Sequence, residues 1–325
     1  GPADGDHPLL PNGSPVPGRV DNNASLAAPE LRHYMRAFVT DLARTYPQID
    51  GFRFDWPEYP CYHFDSLFFD FNPAAARFAA PLGLDFEALR EGCLAFLADL
   101  SNGATRRKVI ALDDGVVFRD SLFAAYPVLA KLIAFRTAIV TDYAGFLREI
   151  VDEATDGKAL MFLQTFPPPL NTLTGFDLAA ARGPCDVIGV KFYTMHWPMI
   201  ERNYLDALAT RTDFAPAAIA RALSTILGLS PRRDRAPETI RYPEPDEAHP
   251  CDSADLTAKM RAAKAAIGEG CRTCGLAHAY GPVDDVVRRL KAVAAGADGA
   301  VHINRFGYMS DEKVEAIGAL RKVDA

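Results

Sequence analysis

Residues 49–56 read Ile49-Asp50-Gly51-Phe52-Arg53-Phe54-Asp55-Trp56, and the alternation inside this stretch decides the fold. Phe52 and Phe54 take one parity and Arg53 and Asp55 the other, the period of a strand with one apolar and one polar face. Pro57 stops the strand, because proline cannot donate to a hydrogen-bond ladder. Upstream, Leu31, Tyr34, Met35, Phe38, Val39 and Leu42 recur at helical spacing as far as Tyr46-Pro47. A helix therefore leads into a strand.

The same unit recurs downstream. Leu129, Leu132, Ile133, Ile139, Val140, Tyr143, Phe146, Leu147 and Ile150 mark a long helix before a strand at 159–166, and 186–194 is another apolar run. A helix over 256–267 leads into a strand at 271–280, and Val283, Val286, Val287, Leu290 and Val293 give a helix before a strand at 300–306. Ser310 is placed to cap the last helix. Alternating helices and apolar strands predict an α/β fold with a parallel sheet and right-handed crossovers, either an open wound sheet or a (β/α)8 TIM barrel. Five strands are legible. Residues 1–30, with Pro2, Pro8, Pro11, Pro15, Pro17 and Pro29, predict an irregular segment. The barrel portion then spans 31–325, with insertions at about 56–126 and 196–252 that both follow strands, on the face where barrels place their chemistry.

The chain has 325 residues, of which 49% are apolar and 24% charged, a globular composition that excludes disorder and fibrous repeats. Its 35 basic and 42 acidic residues give a net charge of −7. Without a dense basic run, this counts against a nucleic-acid partner. No segment approaches the roughly 20 apolar residues of a membrane span, and the polar start does not resemble a secretory signal. Six cysteines, mostly single within apolar segments, favour a reducing compartment, hence the cytoplasm. Cys271-Arg-Thr-Cys274 has redox or zinc spacing but no second pair to complete four ligands, so neither a metal nor another cofactor is expected.

By strand parity Arg53 and Asp55, Lys191 and Tyr193, and His302 and Asn304 point into the barrel, while Gln164 and His278 end the other two strands. A carboxylate beside a guanidinium in such a place is costly unless it is used or tightly paired. The two tryptophans, Trp56 and Trp197, lie at or just past strand ends, with Tyr59 and His196 close by in sequence. Flat aromatic faces next to hydrogen-bonding groups suit the apolar faces and hydroxyl rims of a sugar ring, so these residues form the expected carbohydrate-binding set. Phe68, Phe69 and Phe71 read instead as packing for the first insertion.

The stretch Pro29-Glu30-Leu31-Arg32 through Gly51-Phe52-Arg53-Phe54-Asp55-Trp56-Pro57-Glu58-Tyr59-Pro60 resembles the TIM-barrel glycoside hydrolases called family-10-like or α-amylase-family-like. Those proteins show a helix, a D-G-x-x-x-D strand and an aromatic-proline loop. Phe135-Arg136, the run Asp186 to Tyr193 and Gly296-Ala297-Asp298-Gly299 extend the resemblance over most of 29–320. Gly51-Phe52-Arg53-Phe54-Asp55 is similar to the fourth-strand G-F-R-x-D segment of α-amylases. The resemblance makes Asp55 the catalytic carboxylate and Arg53 its partner, and the five strands become strands four to eight. On that numbering three strands are unrepresented and the chain starts Gly-Pro without Met, so it is expected to be the C-terminal five-eighths of a longer protein.

The resemblance breaks at the next strand. There the family places a glutamic acid as proton donor, but this chain has Gln164. Glu58 is the first alternative acid, followed by Asp113 or Asp114 and by the segment Glu244-Pro-Asp246-Glu247. The expected function is hydrolysis of an oligo- or polysaccharide by two carboxyl groups. Gln164 favours a barrel that binds glycans without cutting them, and His196, His278 and His302 near strand ends favour, more weakly, a metal-dependent hydrolase. The insertion at 231–250, with Arg232, Arg233, Arg235 and Arg241 among its charges, reads as a solvated loop, or else as a wall of the site.

Overall fold

A computed structural model describes residues 5–16, 23–104, 115–228, 236–297 and 300–320. Asp113, Asp114, Arg232, Arg233, Arg235, Asp298 and Gly299 lie outside the described residues. In chain order the elements that build the sheet and its flanks are α1 (Pro29–Thr45), β1 (Gly51–Phe54), α2 (Pro73–Ala79), α3 (Phe86–Ser101), α4 (Gly115–Ala125) and α5 (Pro127–Thr155). They continue with β2 (Leu160–Thr165), α6 (Leu170–Thr174), α7 (Leu178–Ala181), β3 (Val187–Phe192), α8 (His196–Arg211) and α9 (Pro216–Ile226). The chain closes with α10 (Ser253–Ile267), β4 (Arg272–His278), α11 (Val283–Gly296), β5 (Val301–Asn304) and α12 (Asp311–Leu320). No single helix among the described residues is long and apolar enough to cross a membrane.

The five strands pair in sequence order, all parallel, in one sheet. Register partners in a parallel sheet share a face, so the two faces can be read across it. Phe52, Met161, Leu163, Ile188, Val190 and Phe192 are buried against the helices. Arg53, Phe162, Gln164, Gly189, Lys191, Leu276, His302 and Asn304 take the other face. That second face is concave, because the Arg53 guanidinium of β1 reaches His302 Nε2 of β5 at 2.9 Å across it. The sheet is thus a half-barrel flanked by helices.

Two glycines permit the close packing. A Cβ on Gly189 would collide with the Phe162 ring, which lies across β3 and forms the floor of the hollow, with the Arg53 guanidinium 6.0 Å above the ring centroid. A Cβ on Gly275 would collide with Val293 of α11, on the opposite face.

Between β1 and α5 the chain folds into α2, α3 and α4, and Phe68, Phe69 and Phe71 are buried there, as packing residues. Phe68 stacks on Phe96 at 5.8 Å and Phe71 meets Phe86 at 5.3 Å. The segment before α1 has no helix or strand among its described residues, and polar anchors hold it down. Asp70, fully buried, accepts from Ser25 Oγ at 2.5 Å, Tyr59 OH at 3.0 Å and the Leu9 amide at 3.3 Å. Asn72 donates to the Gly5 and His7 carbonyls at 2.8 and 2.7 Å. At the other end Ser310 caps α12 by accepting from the Lys313 amide at 3.3 Å.

Gly275→Ala places a methyl group inside the Val293 contact and is expected to destabilise the protein by about 1–3 kcal/mol, the usual cost of overpacking a core. Urea denaturation checks it, and an unchanged midpoint would show that α11 gives way freely.

Candidate functional site

Asp55 is the first residue past β1, and its side chain is 58% exposed. Gln164, fully buried at the end of β2, lies between it and Arg53. The Gln164 amide oxygen accepts from Arg53 Nε at 2.7 Å and its nitrogen donates to Asp55 Oδ1 at 3.0 Å. Arg53 therefore acts on Asp55 through an amide bridge, where the sequence led us to expect a direct ion pair. The cation that meets the carboxylate directly is Lys191 of β3, its Nζ 3.8 Å from Oδ1.

Lys191 is itself buried, with a side-chain exposure of 3%, and its second partner is Glu58 Oε1 at 3.1 Å. Its ammonium also lies 4.5 Å from the Phe166 ring centroid and 5.5 Å from that of Trp56. Glu58 is 0% exposed, and its Oε2 accepts from Thr165 Oγ1 at 2.7 Å and Thr174 Oγ1 at 2.5 Å. Glu58, the first alternative acid of the sequence reading, is thus turned away from solvent. It is sealed beneath the hollow, and what it does there is hold an ammonium in place.

Above these groups stands a wall of rings. Tyr193 presents its edge to His196 at 5.8 Å and to His278 at 5.4 Å, and its hydroxyl accepts from Asn304 Nδ2. His196 Nδ1 shares a hydrogen bond with Tyr62 OH at 2.9 Å, and Tyr242 lies 6.1 Å from the His196 ring. Tyr308 lies 5.7 Å from His278 and 5.4 Å from Tyr280. Tyr193 and Tyr280 are buried while Tyr242 and Tyr308 are exposed, so the wall grades from floor to rim.

Of the expected substrate-facing residues, Asp55, Arg53, Gln164, Lys191, Tyr193, His196, His278, His302 and Asn304 gather around the hollow. Trp56 is half-buried at its edge, in a left-handed backbone conformation (φ 70°), with Tyr62 and Phe166 against its ring at 5.3 and 6.5 Å. Two residues depart from expectation. Trp197, 2% exposed, turns into the core beside Phe192 because it lies in the first turn of α8, where helical and not strand geometry sets its direction. Tyr59, 1% exposed, spends its hydroxyl on Asp70. Neither presents a face for a sugar. Tyr62, Tyr242, Tyr280, Tyr308 and Arg305 were not expected, although Tyr280 and Arg305 lie just past strand ends, the same signal that points to the others.

The imidazoles are kept uncharged. Burial, then the charges of Lys191 and Arg305, push His196 down from 6.5 to about 4. Burial first, with Arg289 and Arg305 among the cations, pushes His278 to about 3. His302 is lowered by burial and by Arg53. The three do not converge on a metal: His302 meets Arg53, His196 meets Tyr62, and His278 Nδ1 accepts from the Tyr280 amide at 3.1 Å. Among the described residues no group of three or more His, Cys, Asp or Glu side chains is placed to hold an ion. The acids of the second insertion stand at the rim, where Glu244 and Asp246 act on Tyr280 and Glu247 pairs with Arg241 at 2.6 Å. No protein-family model and no curated protein matches the chain.

Replacing Glu58 by Gln leaves the Lys191 ammonium without its buried counter-charge, and the expected loss is about 3–5 kcal/mol of folding stability, read by chemical denaturation. A loss below about 1 kcal/mol, the scale of an exposed pair, would contradict it. The histidines give a pH dependence of definite sign. Their folded values lie below 6.5, so the unfolded chain takes up protons that the folded chain refuses. Their stabilisation is complete above pH 6.5 and is lost as pH falls toward about 4 and about 3. The urea midpoint should drop between pH 7 and pH 5, less steeply in His278→Gln; parallel slopes in the two proteins would refute the assignment.

Proposed function

We propose that the sheet is part of a (β/α)8-type barrel, its strands corresponding to strands four to eight, and that the hollow is the substrate site of a glycoside hydrolase with Asp55 as its reacting carboxylate. The observation that carries this reading is the setting of Asp55: an exposed carboxylate at a strand end, 3.8 Å from a buried ammonium and bridged by Gln164 to a guanidinium, under a wall of aromatic and imidazole rings. A carboxylate so placed can serve as the nucleophile, or face the oxocarbenium-like centre that develops at the anomeric carbon. Uncharged His196 and His278, with Tyr193 and Asn304, offer donors and acceptors to sugar hydroxyls, and Tyr242 and Tyr308 offer exposed ring faces.

Hydrolysis also needs an acid to protonate the leaving oxygen. With Gln164 at the adjacent strand end and Glu58 sealed, that role passes to the rim carboxyl groups Glu244 or Asp246. The same observation favours a second reading, in which the hollow binds a saccharide and does not cut it. The six free cysteines support a cytoplasmic setting for either.

Reducing-sugar release across a panel of polysaccharides and oligosaccharides tests the proposal. Release by the wild type should fall by at least about 100-fold in Asp55→Asn, the scale of losing a reacting group, and Glu244→Gln or Asp246→Asn should reproduce much of the loss. Glycan binding without any release would establish the second reading, and release that survives Asp55→Asn would remove Asp55 from the chemistry.

A further inference from the structure

Asn304 ends β5, and the residue after it is held in an uncommon shape. Arg305 has φ 68°, a left-handed conformation that costs a side-chain-bearing residue energy and that clusters at functional sites. Trp56, just past the end of β1, is in the same state. Asn304 buttresses the bend, since its Oδ1 accepts from the Arg305 amide at 3.0 Å while its Nδ2 donates to Tyr193 OH. Arg305 is exposed, and among the described residues its guanidinium makes no hydrogen bond or ion pair.

Arg305 is thereby anchored beside the hollow, next to the hydrogen bond between Asn304 and Tyr193. Its charge acts on Tyr193, His196, His278 and Tyr242, four groups drawn from the end of β3, the start of α8, the end of β4 and the rim. Tyr193 is the meeting point, because Asp55, Arg53 and Arg305 all act on its hydroxyl. Two guanidinium groups, Arg53 and Arg305, thus act on it together with the Asp55 carboxylate. Lys191 and Glu58 pair below, and the acids Glu244, Asp246 and Glu247 act on Tyr280, toward the rim. A chain of net charge −7 thus holds Lys191, Arg53 and Arg305 around the hollow that Asp55 borders. Arg53 spends Nε on Gln164 and Nη1 on His302. Arg305 keeps its whole planar fork, the geometry that takes a carboxylate by two parallel hydrogen bonds.

We propose that the saccharide bound here is acidic, a uronic acid or uronate-containing oligosaccharide, with Arg305 taking the sugar carboxylate as Asp55 faces the anomeric carbon. This rests on the carbohydrate reading of the hollow and narrows it to one substrate class. In a uronate ring the anomeric carbon and the carbon bearing the carboxylate flank the ring oxygen on opposite sides. One ring can thus present its reacting carbon to Asp55 and its charge to Arg305.

Calorimetric titration with oligogalacturonate, oligoglucuronate and oligomannuronate, each beside its uncharged methyl ester, tests the inference. For at least one pair the acid should bind at least about tenfold more tightly than its ester, which is 1.4 kcal/mol. That ratio should collapse toward one in Arg305→Gln and should shrink as salt is added to the wild type, an arm that needs no variant to fold. Near-UV circular dichroism certifies the fold of Arg305→Gln. Equal binding of acid and ester would overturn the acidic substrate and leave the carbohydrate reading standing. Failure of the folded protein to bind either member of any pair, or the neutral panel, would overturn both. A preference for the acid that persists in a folded Arg305→Gln would overturn the role of Arg305.

Discussion

An ammonium group in a place without water governs the arrangement of this molecule. Lys191 sits beneath the strand ends with Glu58 on one side and Asp55 on the other, 3.1 and 3.8 Å away. Removing such a charge from solvent is expensive, and the cost is recovered only when its partners are fixed. Glu58 is fixed by two threonines, one from the end of β2 and one from the short helix that follows it. The first inserted loop is thereby tied to the second helical unit, and Asp55 and Trp56, just ahead of Glu58 in the chain, inherit their positions from that tie. The exposed carboxylate is the visible end of a buried electrostatic assembly.

The two faces of the sheet divide the labour. Toward the helices the side chains are mostly apolar, Thr165 and Thr273 apart, and packed tightly enough that Gly275 leaves no room for a methyl group. Toward the hollow, beside Gly189 and Leu276, stand charged, amide and ring-bearing side chains that reach one another across strands through Gln164, Asn304 and His302. Alternation along each strand keeps these sets apart, so a change of charge on the concave side leaves the helix-facing core untouched. The rings around Tyr193 extend that polar face beyond the strands and onto the following loops.

Much of this was legible in the sequence, and the parts that were not share a cause. The strands, their parity and the two long segments after β1 and β3 follow from periodicity, because a strand's side chains alternate whatever surrounds them. Periodicity ends where the strand ends. Trp197 begins a helix, so its proximity to a strand end said nothing of its direction, and it turned into the core. Glu58 looked like an available acid three residues after Asp55, but its oxygen is claimed by Thr165 and Thr174, which lie 107 and 116 residues further along the chain. No local pattern contains such a pairing. Gln164 was legible as a departure from a hydrolase's acid and not as a bridge, since bridging depends on both neighbours at once.

The contact between Arg53 and His302 joins residues 249 positions apart. Contacts of that separation form late in folding, because the loop they close must first be ordered by everything between them. Chains emerge from the ribosome N-terminus first, so Asp55 is synthesised long before the strand that completes its surroundings. A nascent or truncated chain that ends before β5 holds the carboxylate and its buried ammonium but not the opposite wall. The hollow thus gains its opposite wall only once β5 has docked, however early the groups on β1 to β3 are in place.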